Sequence, residues 1–104
     1  MIKYTIKRTN SFKRQYKKVR KQGKDISKME YIIEKLASGQ KLDAKYKDHN
    51  LSDNKYYKGC RECHIEPDWL LVYKIIDNEL ILYLVETGSH SDLFNIWEIF
   101  KVVN

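Results

Sequence analysis

Residues 59–76, GCRECHIEPDWLLVYKII, contain two strand-like runs, one on each side of Pro67. Proline has no N–H to donate to a neighbouring strand, so Glu66-Pro67-Asp68 predicts a turn between the runs. A third apolar run follows Asp77-Asn78, a pair that is typical of a hairpin connection. The stretch therefore predicts an antiparallel meander, with strands at 57–65, 70–76 and 80–86.

The same stretch matches C-x-x-C-H, the attachment signature of a c-type haem, between Cys60 and His64. Side chains alternate along a strand, so Cys60, Glu62 and His64 point to one face and Cys63 to the other. Two thiols that face apart cannot hold one haem or one metal ion without breaking the strand. With only two cysteines and no export signal, the chain is expected to keep reduced thiols.

The residues before this stretch predict one strand and two helices. Ile2, Tyr4 and Ile6 alternate with polar residues, as in a half-buried strand. Two amphipathic helices follow, one ending near Gly23 and one near Gly39, and together they form a helical hairpin. Their apolar positions are Phe12, Tyr16 and Val19, then Ile26, Met29, Ile33 and Leu36, with Asp25 or Ser27 as the second N-cap. Residues 40–57 show neither period and predict a long irregular connection.

The charge is concentrated at the start of the chain. Residues 1–24 carry ten lysines and arginines and no acid, whereas residues 25–104 carry ten against fourteen acids. Such a block attracts a polyanion or an acidic protein segment, although a solvated helix face has the same composition. A length of 104 residues predicts one domain, and no apolar run is long enough to span a membrane. We therefore expect a cytoplasmic protein with no membrane partner.

After the third predicted strand, Ser89-His90-Ser91-Asp92 fits a capping box that opens a short helix. The final residues 95–104, NIWEIFKVVN, are compatible with a helix or a strand. Each of the three histidines, His49, His64 and His90, has an aspartate nearby in the sequence. The fold alone decides whether these three places converge.

Three segments resemble the YafQ branch of the RelE/ParE toxin superfamily. They are YKDH at 46–49, the part of 59–73 that contains RECHIEPDWLLVY, and TGSHSDLF at 87–94. The resemblance covers about residues 1–94, and residues 95–104 extend beyond the usual end of that family. It implies an α+β fold with an N-terminal strand, a helical hairpin, a β-meander and a short C-terminal helix.

The resemblance also implies a function and a set of site residues. It implies the toxin of a type II toxin–antitoxin system, an endonuclease that cuts messenger RNA on the ribosome. Its partners would be the ribosome, messenger RNA and a cognate antitoxin with a ribbon-helix-helix domain. The toxin would contact operator DNA only through this antitoxin. The implied catalytic residues are His49, His64, Asp68 and His90, with Glu62, Trp69 and Phe94 in support.

One element of the family pattern is missing, because Glu86 stands where the resemblance leads us to expect an arginine. A carboxylate repels a phosphoryl group instead of stabilising it. Another cation would then have to substitute, and Arg61 and Lys47 are the candidates. The remaining predicted RNA-binding residues lie on the first helix: Lys13, Arg14, Lys17, Lys18, Arg20 and Lys21.

Metal-free RNA cleavage needs a base for the 2′-OH proton and an acid for the departing 5′-oxygen, and imidazoles suit both transfers. No cofactor is required. We assign His90 as the acid, in the first turn of a helix whose amides can bind phosphate. His64 or His49 is the base, and Asp68 orients a histidine or shares that role. A three-histidine zinc site is the alternative use of these residues.

Two other functions remain open. The chain could be a catalytically weakened homologue that binds the antitoxin and helps it to repress its operon. It could also poison gyrase, as in the related ParE branch, although the histidine-rich motifs argue against this.

Overall fold

A five-stranded sheet with the strand order β1-β5-β4-β3-β2 organises the chain. The structure is a computed structural model that describes residues 2–51 and 55–94. Its elements are β1 (Thr5–Arg8), α1 (Asn10–Lys21), α2 (Ile26–Ala37), β2 (His49–Asn50), β3 (Arg61–Glu66), β4 (Trp69–Ile76), β5 (Ile81–Gly88) and α3 (His90–Leu93). β1 runs parallel to β5, and the other neighbouring strands are antiparallel. The predicted α+β fold, with its helical hairpin and meander, is confirmed.

The N-terminal strand differs from its prediction in position and burial. β1 begins at Thr5, and all four of its residues are exposed, so Ile2 and Ile6 are not core residues. Tyr4, just before the strand, is buried, and its hydroxyl donates a hydrogen bond to Asp77. The alternating pattern was misleading because β1 is a short edge strand, which buries little of either face.

Both helices begin at side-chain caps and pack against the same face of the sheet. The side chain of Thr9 caps α1, and that of Asp25 caps α2 by accepting from the Ser27 amide. The buried face of α2 contains Ile32, whereas the predicted Ile33 is only partly buried. The core on this face is formed by Tyr4, Phe12, Val19, Met29, Ile32, Leu36, Ala37, Cys63, Ile65, Trp69, Leu71, Tyr73, Leu82 and Leu84.

Trp69 belongs to this core. Its side chain is fully buried, and its indole N–H donates to the Thr87 hydroxyl at 3.0 Å. Thr87 in turn donates to the Leu70 carbonyl at 2.7 Å, which ties β4 to β5. Trp69 therefore supports the site through the sheet and has no exposed surface that could contact RNA.

A second, smaller cluster covers the opposite face of the sheet. Its buried members are Cys60, Leu70, Val72 and Leu93. Cys60 and Cys63 are free thiols in different clusters, as the strand alternation predicted. Burial raises the pKa of both thiols, so neither is a thiolate near neutral pH. The haem and thiol-metal interpretations of C-x-x-C are thereby wrong.

The connection predicted as irregular contains a 3-10 turn at Ala44–Tyr46, the two-residue β2 and a second 3-10 turn at Lys55–Tyr57. The predicted two-residue hairpin at Asp77-Asn78 is instead a 3-10 turn, Asp77–Glu79, closed by Leu80 at φ 54°. The interpretation of residues 95–104 lies outside the described residues. Within the described ranges, no helix has the length and apolar character to cross a membrane.

Candidate active site

Strand register brings most of the predicted site residues to one face of the sheet. His49 lies opposite Glu62, and Glu62 and Glu86 both lie opposite Val72, so these four residues form one row across the sheet. His64 belongs to the next row, opposite Leu70. Directly opposed residues of antiparallel strands share a face, so the row and His64 face the same side.

Glu62 lies between two imidazoles. One carboxylate oxygen, Oε1, is 3.5 Å from Nε2 of His49 and 3.5 Å from Nε2 of His64. The Glu62 side chain is only 6% exposed. A carboxylate removed from water needs a cation or a hydrogen-bond donor nearby. Glu62 is therefore placed to pair with either of the two imidazole rings.

Asp68 holds His90 through two contacts. Its Oδ1 accepts a hydrogen bond from the backbone N–H of His90 at 2.9 Å and lies 2.7 Å from the ring Nδ1. Both hydrogen bonds lower the pKa of the Asp68 carboxyl, and the bond from the backbone N–H has the larger effect. With Nδ1 engaged, Nε2 is the His90 nitrogen that can serve a substrate. Asp68 is thus placed to orient a histidine, one of its two predicted roles.

The three histidines converge around His64. Its ring centroid is 6.4 Å from that of His49 and 5.4 Å from that of His90. The side chains of His49 and His90 are about half exposed, at 49% and 51%, whereas that of His64 is 19% exposed. The fold therefore brings all four predicted catalytic residues together and leaves them open to a ligand.

α3 is the predicted capping box, with reciprocal bonds between Ser89 and Asp92. Its first amides are already occupied, because the His90 N–H donates to Asp68 and the Asp92 N–H donates to the Ser89 hydroxyl. These two amides are engaged within the protein, and phosphate binding at this helix end stays a prediction. The capping box fixes the start of α3, whose first residue is His90.

The two predicted substitutes for the missing arginine have different positions. Arg61 donates from Nε to Asp48 at 3.2 Å and from Nη1 to Asn50 at 2.9 Å, on the face of β3 opposite to Glu62. Asp48 also accepts from the Tyr73 hydroxyl at 2.7 Å. Arg61 is therefore occupied in holding β2. Lys47 is exposed and lines a groove beside His64.

Glu86 itself is not isolated. It accepts a short hydrogen bond from the Tyr57 hydroxyl, which also lies 3.3 Å from the Leu93 carbonyl oxygen. Phe94 packs edge-on against the Tyr57 ring, with 5.5 Å between centroids. Phe94 thus lies at the end of α3, where it is partly buried in the smaller cluster and packs against Tyr57.

The predicted basic residues of α1 are all exposed. Lys18 among them forms an ion pair at 3.1 Å with Asp92, which brings α1 to the edge of the site. Lys24 and Lys28, which the sequence did not indicate as site residues, contact Glu66 at 3.7 and 2.9 Å. Nothing in their spacing indicated this, because the contact depends on α2 packing against β3.

Glu62, His64 and His90 could also hold a metal ion. One ligand atom from each lies within 4.8 Å of the other two. Imidazole and carboxylate together suit zinc or copper. The donor set differs from the three histidines considered in the sequence analysis, because a carboxylate takes the place of His49.

Comparison with known proteins identifies a matching family and relatives of similar sequence. Residues 4–95 match the model of a family described as the bacterial toxin of type II toxin–antitoxin systems, YafQ. The chain is 38% identical over 95 residues to the mRNA interferase toxin YafQ of Escherichia coli (strain B / BL21-DE3), an alignment that covers 90% of this chain and 99% of the relative.

Two solved structures show the same fold. One is the E. coli DinJ–YafQ toxin–antitoxin complex, with a TM-score of 0.80 and 36% identity over 90% of this chain and 100% of the other. The second is a metal-bound toxin from Helicobacter pylori, with a TM-score of 0.81 and 42% identity over 90% of this chain and all of the other. Since the family model and these relatives span most of its length, the chain belongs to the YafQ family of bacterial toxins of type II toxin–antitoxin systems.

Proposed function

We propose that the chain is a ribosome-dependent mRNA interferase that cleaves RNA by acid–base chemistry at the histidine cluster. Its relatives are named mRNA interferase toxins. The single observation that carries the proposed chemistry is the continuous arrangement of Asp68, His90, His64, Glu62 and His49 on one face of the sheet. It supplies two separately held imidazoles, which is the minimum that the reaction requires.

In the proposed reaction, His64 or His49 takes the proton of the 2′-OH of the nucleotide on the 5′ side of the cut. The 2′-oxygen then bonds to phosphorus, the bond from phosphorus to the 5′-oxygen breaks, and a 2′,3′-cyclic phosphate forms. His90 donates a proton to the departing 5′-oxygen from Nε2, while Asp68 holds Nδ1. Glu62, between the two candidate bases, stabilises whichever one has become an imidazolium.

The proposal includes partners and location. A solved relative is a complex of toxin and antitoxin, DinJ–YafQ, and we propose that an antitoxin likewise neutralises this chain. Operator DNA would be reached only through that antitoxin. We also propose that the protein acts in the cytoplasm, where it would meet ribosomes. We further propose that the chain acts as a single domain.

The test compares the wild type with His90→Ala, scored by growth and by mapped messenger cleavage in a translating extract. We expect cleavage to fall on the order of 10² to 10⁴-fold and growth to recover. Ser91→Ala, an exposed neighbour in the same helix, is the matched control and should keep activity. Equal cleavage by wild type and His90→Ala would remove His90 as the acid. A wild type that cuts no messenger would favour the co-repressor alternative.

A second, regulatory function has two observations in its favour. The ligand atoms of Glu62, His64 and His90 lie close enough to hold one ion, and a solved relative is a metal-bound toxin. A metal bound there would take the lone pairs that acid–base cleavage uses, so zinc or copper should inhibit. Glu62→Gln should weaken metal binding in calorimetry, and binding unchanged in this variant would argue against the site.

A further inference from the structure

A groove of about 390 Å³ lies beside His64, between the first turn of α2, the 3-10 turn at Ala44–Tyr46 and the end of β3. This volume is in the range that small-molecule sites occupy. The groove adjoins the histidine cluster through His64, while His90 does not line it within the described part of the chain. Its lining is Lys28, Lys45, Tyr46, Lys47, His64, Ile65, Glu66 and Pro67.

The charge of the groove is positive. Three lysines line it against one acid, Glu66, and that carboxylate is already paired with Lys28 at 2.9 Å and with Lys24 at 3.7 Å. Lys45 and Lys47 are both exposed at its edge. An anion entering the groove therefore meets two lysines and no unneutralised carboxylate from the lining.

The groove also contains an aromatic ring. Tyr46 is partly buried, because one side of it packs against the main core. The Lys45 ammonium lies 5.1 Å from its ring centroid. Proteins that bind single-stranded nucleic acid combine lysines along the backbone with an aromatic ring on which a base stacks. A small non-aromatic anion would use the lysines but would gain no stacking from the ring.

We propose that this groove binds the nucleotide on the 5′ side of the cut, the one whose 2′-OH attacks. Tyr46 contacts its base, and Lys45 and Lys47 contact its backbone phosphates. The assignment to the 5′ side rests on the proposed function, in which a base beside the groove, His64, receives the 2′-OH proton. The groove then determines where the RNA lies relative to the two imidazoles.

The first experiment measures binding without cleavage. His90→Ala protein is titrated with a fluorescein-labelled single-stranded RNA over a range of salt concentrations. Adding Lys45→Ala and Lys47→Ala should reduce the slope of log affinity against log salt by about 1.4, since each phosphate contact on a single strand contributes about 0.7.

The matched control is Lys3→Ala with Lys35→Ala, because these lysines also lie over tyrosine rings but do not line the groove. This control should leave the slope close to that of the parent. Equal slopes for the groove pair and the control pair would overturn the proposal. This binding experiment does not depend on activity, so it tests the groove even if the wild type cleaves nothing.

The second experiment identifies the nucleotide. Tyr46→Leu should raise the half-saturating concentration of programmed ribosomes about tenfold at unchanged maximal rate, the loss expected for one stacked base. Tyr31→Leu, an exposed tyrosine with a lysine over its ring, is the control and should behave as wild type.

Messages carrying 4-thiouridine directly 5′ or directly 3′ of the mapped cut should crosslink to the groove only from the 5′ position. Crosslinks from the 3′ position alone, or Tyr46→Leu kinetics equal to those of Tyr31→Leu, would overturn the assignment. A wild type without cleavage would instead count against the proposed function. Circular dichroism of Tyr46→Leu separates lost stacking from lost folding.

Discussion

At the scale of single residues, Asp68 determines what His90 can do. It engages both the backbone N–H and Nδ1 of His90, so one carboxylate holds the first amide of α3 and the ring. Asp68→Asn keeps the shape but removes the charge that holds an imidazolium. We expect kcat to fall about 10²-fold with little change in KM, measured on programmed ribosomes. A change confined to KM would contradict an orienting role.

The same substitution has a pH signature. Because the folded protein lowers the pKa of Asp68, the carboxylate stabilises the fold above its ordinary pKa of about 4 and loses this effect as pH falls through the lowered value. The gap in unfolding free energy between wild type and Asp68→Asn should therefore shrink as the pH falls through the acid range. Urea unfolding at a series of pH values measures it, and a gap that grows in acid would contradict the assignment.

Glu86 stands where the family resemblance led us to expect an arginine. It shares a row with Glu62 two strands away, so the Cα atoms of the two residues are separated by about 10 Å. Glu86→Gln keeps an acceptor for Tyr57 and removes the repulsion of a bound phosphate. We expect kcat/KM to rise about fourfold at low salt and the gain to shrink at high salt, since the salt screens the charge. An increase that is independent of salt would indicate a packing effect instead.

At the scale of elements, the two-residue β2 depends on a network behind the sheet. Asp48 accepts from Arg61 and Tyr73, and Arg61 also donates to Asn50, so both neighbours of His49 are tied to the sheet. Arg61→Leu should lower kcat about tenfold while leaving the salt dependence of KM unchanged, because its donors are used internally.

A double-mutant cycle with His49→Ala separates positioning from direct contact with phosphate. If Arg61 acts through His49, the second substitution should add much less loss than it causes in the wild type. Fully additive losses would show that Arg61 acts independently of His49. Asn50→Ala removes only one acceptor of Arg61. It should lower kcat less than the loss of Asp48, the other neighbour of His49.

These elements also show what the sequence could reveal. The capping box at Ser89, the turn at Pro67 and the opposed thiols follow from local rules, and each is confirmed. β2 has no such signal, because two polar residues cannot show a period and their pairing depends on the distant Asp48–Arg61–Tyr73 network. The contact of Lys24 and Lys28 with Glu66 was missed for the same reason: it forms only after α2 packs on the sheet.

At the scale of the whole molecule, the basic start of the chain becomes a face next to the site. Lys18 reaches Asp92 of α3, so α1 passes beside the short helix that carries His90. Lys13, Lys17 and Lys21 are four residues apart and share one side of the helix. Such a face should attract the ribosome over a distance without touching the reacting atoms.

Replacing Lys13, Lys17 and Lys21 together by alanine should therefore slow association with programmed ribosomes about tenfold at low salt. The single-turnover cleavage rate at saturation should not change, because these lysines hold no catalytic group. The control is the triple alanine variant of Lys3, Lys35 and Lys41, which lowers the net charge equally but leaves α1 intact. Stopped-flow association over a salt series compares them. Equal slowing by both variants would show that total charge, and not the α1 face, attracts the ribosome.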